Sequence, residues 1–486
     1  MTTTESSAVQ GPTRPDDAGG GPHPEGLVVR ARRAWVDGAF RPAQVHVAEG
    51  RVLALAPWDA PLADGAAASL VDLPDDAVLL PGLVDSHVHV NEPGRTHWEG
   101  FASATRAAAA GGVTTLVDMP LNSIPPTTTP DALAAKLAAT AGRLAVDVAF
   151  WGGAVPENLG ALAPLHRAGV RGFKAFLAPS GVDEFGHLDA AGLRAALAEV
   201  AALGSVLVVH AEDPEALAAA PADGRLGTRY ADFLASRPPA SERSAVEGVV
   251  EGVRRTGARA HVLHLSDAGT LPLLRAARAE GLPITVETCP HYLVLHAEDV
   301  PDAATEYKCC PPIRGTANAD ALWEGLLDGT IDAVVSDHSP ATADLKHVAG
   351  GDFGASWGGI AGLQLGWTVV ADEARRRGVP LEALVPAFTT GPAAVAGLAG
   401  LGEIAPGAPA HLVAFAPDET QVVDAARLEH RNPVTPYHGR ALHGRVRAVW
   451  LRGVPVVEDG RVVGTPAGRT LLPVPLPPLL PVPPGA

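Results

Sequence analysis

The chain reads as an α/β protein: a TIM-like (β/α)8 barrel with a small β-sandwich domain assembled from its N- and C-terminal segments. Three observations predict it. Short β-rich apolar runs alternate with longer Ala-rich stretches of helical spacing, and eight such runs fall before residue 340. Polar, ligand-type side chains recur at the far ends of these runs, where barrels of this class carry their sites. The flanks 27–80 and 402–471 are rich in Val, Gly and turn residues and lack long helical patterns. The expected organisation is a mobile tail (1–26), an N-terminal sandwich segment (27–80), the barrel (81–401), a C-terminal sandwich segment (402–471) and a mobile Pro-rich tail (472–486).

The predicted barrel strands are 83–89, 113–119, 144–151, 169–176, 205–211, 258–265, 282–288 and 331–337. The segments 131–143, 188–204 and 244–257 have helical apolar spacing and end near Gly, as crossover helices should. Parallel strands require such crossovers, and eight βα units in series suggest closure.

At 486 residues and 47% hydrophobic, the sequence is long enough for one large domain and a smaller one. Its net charge of −17 comes without a basic cluster, which argues against nucleic acid or an anionic membrane as partner and favours a small, near-neutral ligand. No window approaches 18 consecutive apolar residues, and the first 28 residues carry Asp, Glu, Gly and Pro rather than an apolar leader. A cytoplasmic location is expected. Cys289, Cys309 and Cys310 fit neither a disulfide framework nor a thiolate zinc pattern and read as packing residues. Against 33 arginines stand four lysines, Lys136, Lys174, Lys308 and Lys346, and Lys174 sits inside an apolar strand.

The most informative stretch is Asp85-Ser86-His87-Val88-His89. Side chains at i and i+2 of a strand share a face, so His87 and His89 can aim both imidazoles at one point. Alone, the pair could equally be buried hydrogen-bonding imidazoles. Lys174, His210, His264 and Asp337 then arrive at the ends of the fourth, fifth, sixth and eighth runs, so five strands contribute to one ring. Imidazoles and carboxylates suit zinc-like divalent ions, but four His and one Asp are thin for two ions without a bridging anion. An uncharged Lys174 amine that added carbon dioxide would supply it as a carbamate, which Arg could not; an ion pair at the barrel mouth is the alternative. Asp337 could be ligand and proton carrier, or a turn aspartate before Ser-Pro. His261, His291, His296, His338 and His347 are left outside the ligand ring.

PGLVDSHVH, the GFKAF lysine, the two later histidines and SDHSP resemble, in order and across the whole barrel, the cyclic amidohydrolases of the metal-dependent amidohydrolase superfamily. That resemblance implies that His87 and His89 hold the more buried of two metal ions and His210 and His264 the more exposed. Carboxylated Lys174 (N6-carboxylysine) would bridge them, and Asp337 would complete the buried site. It also implies a homotetramer and zinc, cobalt, manganese or iron as the metal. Within the family, dihydroorotases carry an arginine that grips a substrate carboxylate where Asn91 stands here. NEPGRTHWEGF, DMPLNSIPPT, KCCPPIR and SWGGIAGLQ instead resemble allantoinases, which open the hydantoin ring of allantoin to allantoate in purine and ureide catabolism. Hydantoinases and dihydropyrimidinases, the alternative, tend to carry Asn-Gly where Trp357-Gly358 stands. The implied reaction is attack of a bridging hydroxide on the ring carbonyl, with Asp337 passing a proton to the leaving nitrogen. Asn91, Arg95, Asn122 and Gln364 are the expected substrate contacts by position and hydrogen-bonding capacity, although Arg95 or Asn122 could equally serve a loop turn; Cys310 holds the place before Pro-Pro where, by the resemblance to hydantoinases, backbone groups meet the substrate imide. A non-catalytic scaffold relative is the last alternative; such relatives have usually lost metal ligands, and this sequence keeps the set.

Overall fold

The computed structural model describes residues 26–62, 69–220 and 226–473. The expected tails 1–26 and 472–486 lie almost wholly outside the described residues.

The barrel strands are β1 (Leu83–Val88), β2 (Val113–Asp118), β3 (Asp147–Phe150, resumed after Trp151 as Gly152–Gly153), β4 (Phe173–Phe176), β5 (Val206–His210), β6 (Arg259–Val262), β7 (Ile284–Thr288) and β8 (Ala333–Val334). All neighbours pair in parallel. The ladder falls into one run from β1 through β2 to the opening stretch of β3, and a second from its resumed stretch to β8. Trp151 joins them through the chain itself. Between β8 and β1 a single parallel bridge, Val88 to His338, stands where a full ladder would close the ring. The reason is a side chain: Asp85 accepts from the amides of His87 and Ser336, both at 3.1 Å, so its carboxylate replaces ladder bonds on both strands.

Alternation along the strands sorts the two faces. Phe173, Ala175, Leu207 and Val209 join a core shared with the helices, whereas Phe176, Val206 and Val208 join a separate cluster with Val84, Val117 and Ala149. Lys174 and His210, two residues from Phe176 and Val208 respectively, therefore belong to the second face, the barrel interior.

The crossover helices start where local chemistry allows. The helix Pro130–Thr140 is capped by Thr129, which accepts from Ala132 N at 3.2 Å, and Ala190–Ala202 by Asp189, which accepts from Gly192 N at 2.7 Å. The third, Pro239–Thr256, begins five residues before the expected Ser244 because Pro239 occupies its first turn, where a missing N–H is harmless; it ends at Gly257 with φ 67°.

The terminal segments form one continuous nine-stranded sheet rather than two separate ones. Its order is Arg461–Val462, Val454–Glu458, Ala441–Leu451, Leu412–Val422, Val78–Pro81, Leu27–Val36, Ala39–Ala48 and Arg51–Pro57, with Ser69–Asp72 also beside Leu27–Val36. Val29, Val45, Val52, Leu79, Leu412 and Trp450 share one buried cluster, so the strands from the two chain ends enclose a common core in the manner of a sandwich. Ladder pairing of Leu412–Val422 with Val78–Pro81 brings the C-terminal segment against the stretch entering β1.

Candidate active site

Parallel strands carry their side chains forward to one rim, and there His87, His89, Lys174, His210, His264 and Asp337 come together, all buried. His87 Nε2 lies 3.1 Å from Asp337 Oδ1 and 3.3 Å from Lys174 Nζ, and His89 Nε2 lies 3.4 Å from the same Asp337 oxygen. One ligand atom each of His87, His89 and Asp337 fall within 4.8 Å of one another, a spacing suited to a single cation. The His264 ring centroid is 5.4 Å from that of His87 and 4.6 Å from that of His210. His264 and Asp337 both adopt left-handed backbone, φ 36° and 42°. For non-glycine residues such conformations concentrate at functional sites.

What lies behind the imidazoles fixes their orientation. Glu287, at the end of β7, lies 2.5 Å from His87 Nδ1 and 2.9 Å from His261 Nε2, leaving His87 Nε2 to face the ring. Glu212 lies 2.8 Å from His210 Nε2 and is itself held by Arg237, through Nε at 3.0 Å and Nη2 at 2.5 Å. A carboxylate behind a histidine, selecting its tautomer, is the usual support of a metal ligand. Sequence reasoning missed Glu287, Glu212 and Arg237. The available signal was a charged residue at the interior end of an apolar strand in Glu287, and one two residues beyond a candidate ligand in Glu212.

The electrostatics agree with a cation-binding donor set. Burial, reinforced by Lys174, pushes the His89 pKa down to about 3, and burial lowers those of His210 and His264, so these imidazoles are neutral and their lone pairs available. Burial pulls Lys174 down to about 8, toward the uncharged amine. Burial opposes ionisation of Asp337, but His87, His89 and His264 around it carry its carboxyl well below the usual range. Burial likewise opposes ionisation of Glu287, and His87 and His261 outweigh it. His264 Nδ1 is buried without a hydrogen-bond partner, an orphan nitrogen within the ring of donors. Neutral imidazoles, an ionised carboxylate and an amine of lowered pKa thus fit divalent cations.

The ring opens into a cavity of about 470 Å³ lined by Asn122, Phe176, Ser180, Phe233, Arg237, Lys308, Cys310, Ser339 and the loop Gly354–Gly359, among others. Of the expected substrate contacts, Asn122 and Cys310 line it; Asn91, Arg95 and Gln364 do not. Asn91 is buried, with φ 65°, and donates Nδ2 to Pro340 O at 3.2 Å. Arg95 donates to Asn122 O at 2.9 Å, pairs with Glu184 and packs 5.0 Å from the Trp98 ring, so it braces the loop that carries Asn122. The Gln364 side chain accepts from Glu429 N at 2.8 Å, at a different pocket. For these three the side chains meet protein partners rather than the cavity, and for Arg95 this is the loop role its position also allowed. Of the histidines left outside the ring, His261 supports Glu287, and His338 pairs with Glu99 at 3.2 Å.

A parallel barrel that gathers imidazoles, a lysine and an aspartate at its strand ends defines the class of barrel hydrolases equipped for divalent cations. The chain belongs to the amidohydrolase family, whose model matches residues 78–456, and it is a hydrolase. It is 56% identical, over 92% of its length and 98% of the relative's, to an allantoinase of Streptomyces avermitilis. It is 45% identical to an allantoinase of Saccharomyces cerevisiae over 81% of this chain and 86% of the relative. Among solved structures it is similar to the L-hydantoinase (dihydropyrimidinase) of Arthrobacter aurescens, with a TM-score of 0.86 and 30% identity over 92% of this chain and 99% of that one. No helix among the described residues is long and apolar enough to cross a membrane.

Proposed function

We propose that this protein is an allantoinase, opening the hydantoin ring of allantoin to allantoate. The observation that carries the chemistry is the convergence of His87, His89 and Asp337 within 4.8 Å, beside Lys174 and at the foot of the cavity. The substrate rests on the 56% identity to the Streptomyces avermitilis allantoinase across 98% of that protein.

In this reading His87, His89 and Asp337 would hold one divalent cation and His210 and His264 a second, with Lys174, as N6-carboxylysine, supplying an anionic ligand between them. Zinc is the first candidate, with cobalt, manganese or iron possible from the same donors. The chemistry divalent cations would supply there is polarisation of the ring carbonyl and a lowered pKa of water, toward about 7. The residues do the rest. The Lys174 amine adds to carbon dioxide, forming one N–C bond and releasing one proton, and its lowered pKa keeps enough amine uncharged for that addition. Asp337, ionised and facing His87 and His89, accepts the proton of the attacking water and returns it to the leaving ring nitrogen. Asn122 and Cys310, both on the cavity wall, are the residues this reading assigns to the ring's polar edge. The proposal extends to a barrel unit of 81–401 with 27–80 and 402–471 as the second domain, a homotetramer, and a cytoplasmic location.

A hydantoinase or dihydropyrimidinase activity is the second reading, favoured by the 30% identity to the Arthrobacter aurescens enzyme but outweighed by the allantoinase relatives. A dihydroorotase would need a cation where Asn91 donates to Pro340. A scaffold would need no ligand set. The test is allantoate formation from allantoin by metal-loaded protein, with hydantoin and dihydrouracil in parallel. Preferential opening of allantoin supports the proposal; turnover of the other rings alone transfers it to the second reading, and no turnover with two cations bound leaves the scaffold.

A further inference from the structure

Lys308, on the loop after β7, combines a buried charge with a place on the cavity wall. It lines the cavity, and its amine lies 5.5 Å from the ring centroid of Phe233, another wall residue. Nζ donates to Ser356 O at 2.6 Å and to Gly354 O at 3.3 Å. An ammonium has three N–H donors, so one is left without a protein acceptor. Lys308 is only 9% exposed, and among the described residues no carboxylate pairs with it directly, Asp352 acting on it only from a distance. A buried cation served by two neutral carbonyls is under-compensated and favours a further acceptor.

The neighbouring Lys346 is likewise served by two carbonyls, donating to Lys308 O at 3.2 Å and to Trp357 O at 2.9 Å, but it lies away from the cavity and so has no ligand to meet. It fastens the wall loop from behind. The loop's other donors are largely occupied: Trp357 N donates to Leu345 O and Gly359 N to Lys308 O, each at 2.8 Å. The second cation of the wall, Arg237, turns its Nε and Nη2 edge to Glu212. Beside the clamped loop there is room, since a Cβ built on Gly358 would meet nothing within 4 Å except Cys310 Sγ at 3.7 Å.

We propose that Lys308 determines specificity by donating its third N–H to the carbonyl oxygen of the ureido substituent on the substrate ring. The inference rests on allantoin being the substrate, because that substituent is what distinguishes allantoin from hydantoin. The open space at Gly358 receives the substituent, and the Gly354 and Ser356 carbonyls hold the amine in place to meet it.

The experiment measures kcat/KM for allantoin and for unsubstituted hydantoin on the metal-loaded wild type and on Lys308→Met, Lys308→Gln and Lys346→Met, with bound metal determined for each. Loss of a charge-assisted hydrogen bond should lower the allantoin-to-hydantoin ratio about tenfold or more in Lys308→Met. Lys308→Gln keeps two N–H donors for the two loop carbonyls but lacks the third, and the ratio should fall there too. Lys346→Met removes only the fastening and should lower both substrates in parallel. A ratio within about twofold of wild type in both folded, metal-replete Lys308 variants overturns the proposal, as does an equal ratio shift in Lys346→Met. Wild-type protein that opens hydantoin and not allantoin overturns the substrate reading itself, a failure visible before any variant is compared.

Discussion

Glu287 Oε1 lies 2.5 Å from His87 Nδ1, and this contact decides that Nε2, not Nδ1, faces Asp337. The carboxylate is fully buried and also meets His261 and the amide of His264, so it cannot rotate away without stranding three donors.

Glu287→Gln should therefore weaken metal binding about 10- to 100-fold with little change in fold, because an amide can present N–H to His87 and reverse its tautomer. Competition of the loaded protein against a chelator measures it. Unaltered affinity would mean that His87 is oriented by its strand alone.

Lys174→Ala should lose most bound metal and activity, with partial return on adding short carboxylic acids, which supply the two oxygens of the missing carbamate. Metal stoichiometry and allantoate production across a formate-to-butyrate series are the readouts. Two cations retained by Lys174→Ala would eliminate the bridge.

Asp337→Asn should keep much of the metal yet lower kcat by about 10²- to 10⁴-fold, since an amide cannot carry the proton between water and the leaving nitrogen. Near-native kcat at full metal occupancy would remove the shuttle assignment.

How much of this is legible in the residues follows from which physical rules act locally. The period of two along β1 pairs His87 with His89, and parallel strands deliver Lys174, His210, His264 and Asp337 to one rim; both rules need only strand assignment. Glu287 and Glu212 are not legible as supports, because a carboxylate's partner is set by which strands are neighbours and at what register. The single bridge between β1 and β8 has the same origin: nothing in the residue type says that Asp85 takes two ladder amides. The loop residues are the least legible. Asn91 and Arg95 have the right chemistry for a ureide, but a positive φ at Asn91 and the partners Glu184 and Asn122 O of Arg95 are set by loop backbone that residue type does not reveal. Lys308 escapes for the opposite reason: in the sequence it is only one of four lysines, and its surroundings give it its role.

Acid should destabilise the fold through two buried histidines that are not members of the ligand ring. Burial lowers His411 to about 4 against the nearby Asp147, and burial with His338 lowers His430 to about 4; both His430 ring nitrogens lack a partner. Each is held neutral in the fold, while in the unfolded chain each titrates near 6.5. The unfolded state then binds more protons between these values, so the stability they contribute is complete above pH 6.5 and is lost as pH falls through 4. Each shift corresponds to about 3 kcal/mol, so the urea midpoint should drop steeply from pH 6.5 to 4. His411→Phe/His430→Phe should flatten that slope whatever its absolute stability, because the comparison is between slopes and not between midpoints at one pH. A double variant whose midpoint falls with pH as steeply as the wild type would assign acid sensitivity to other groups.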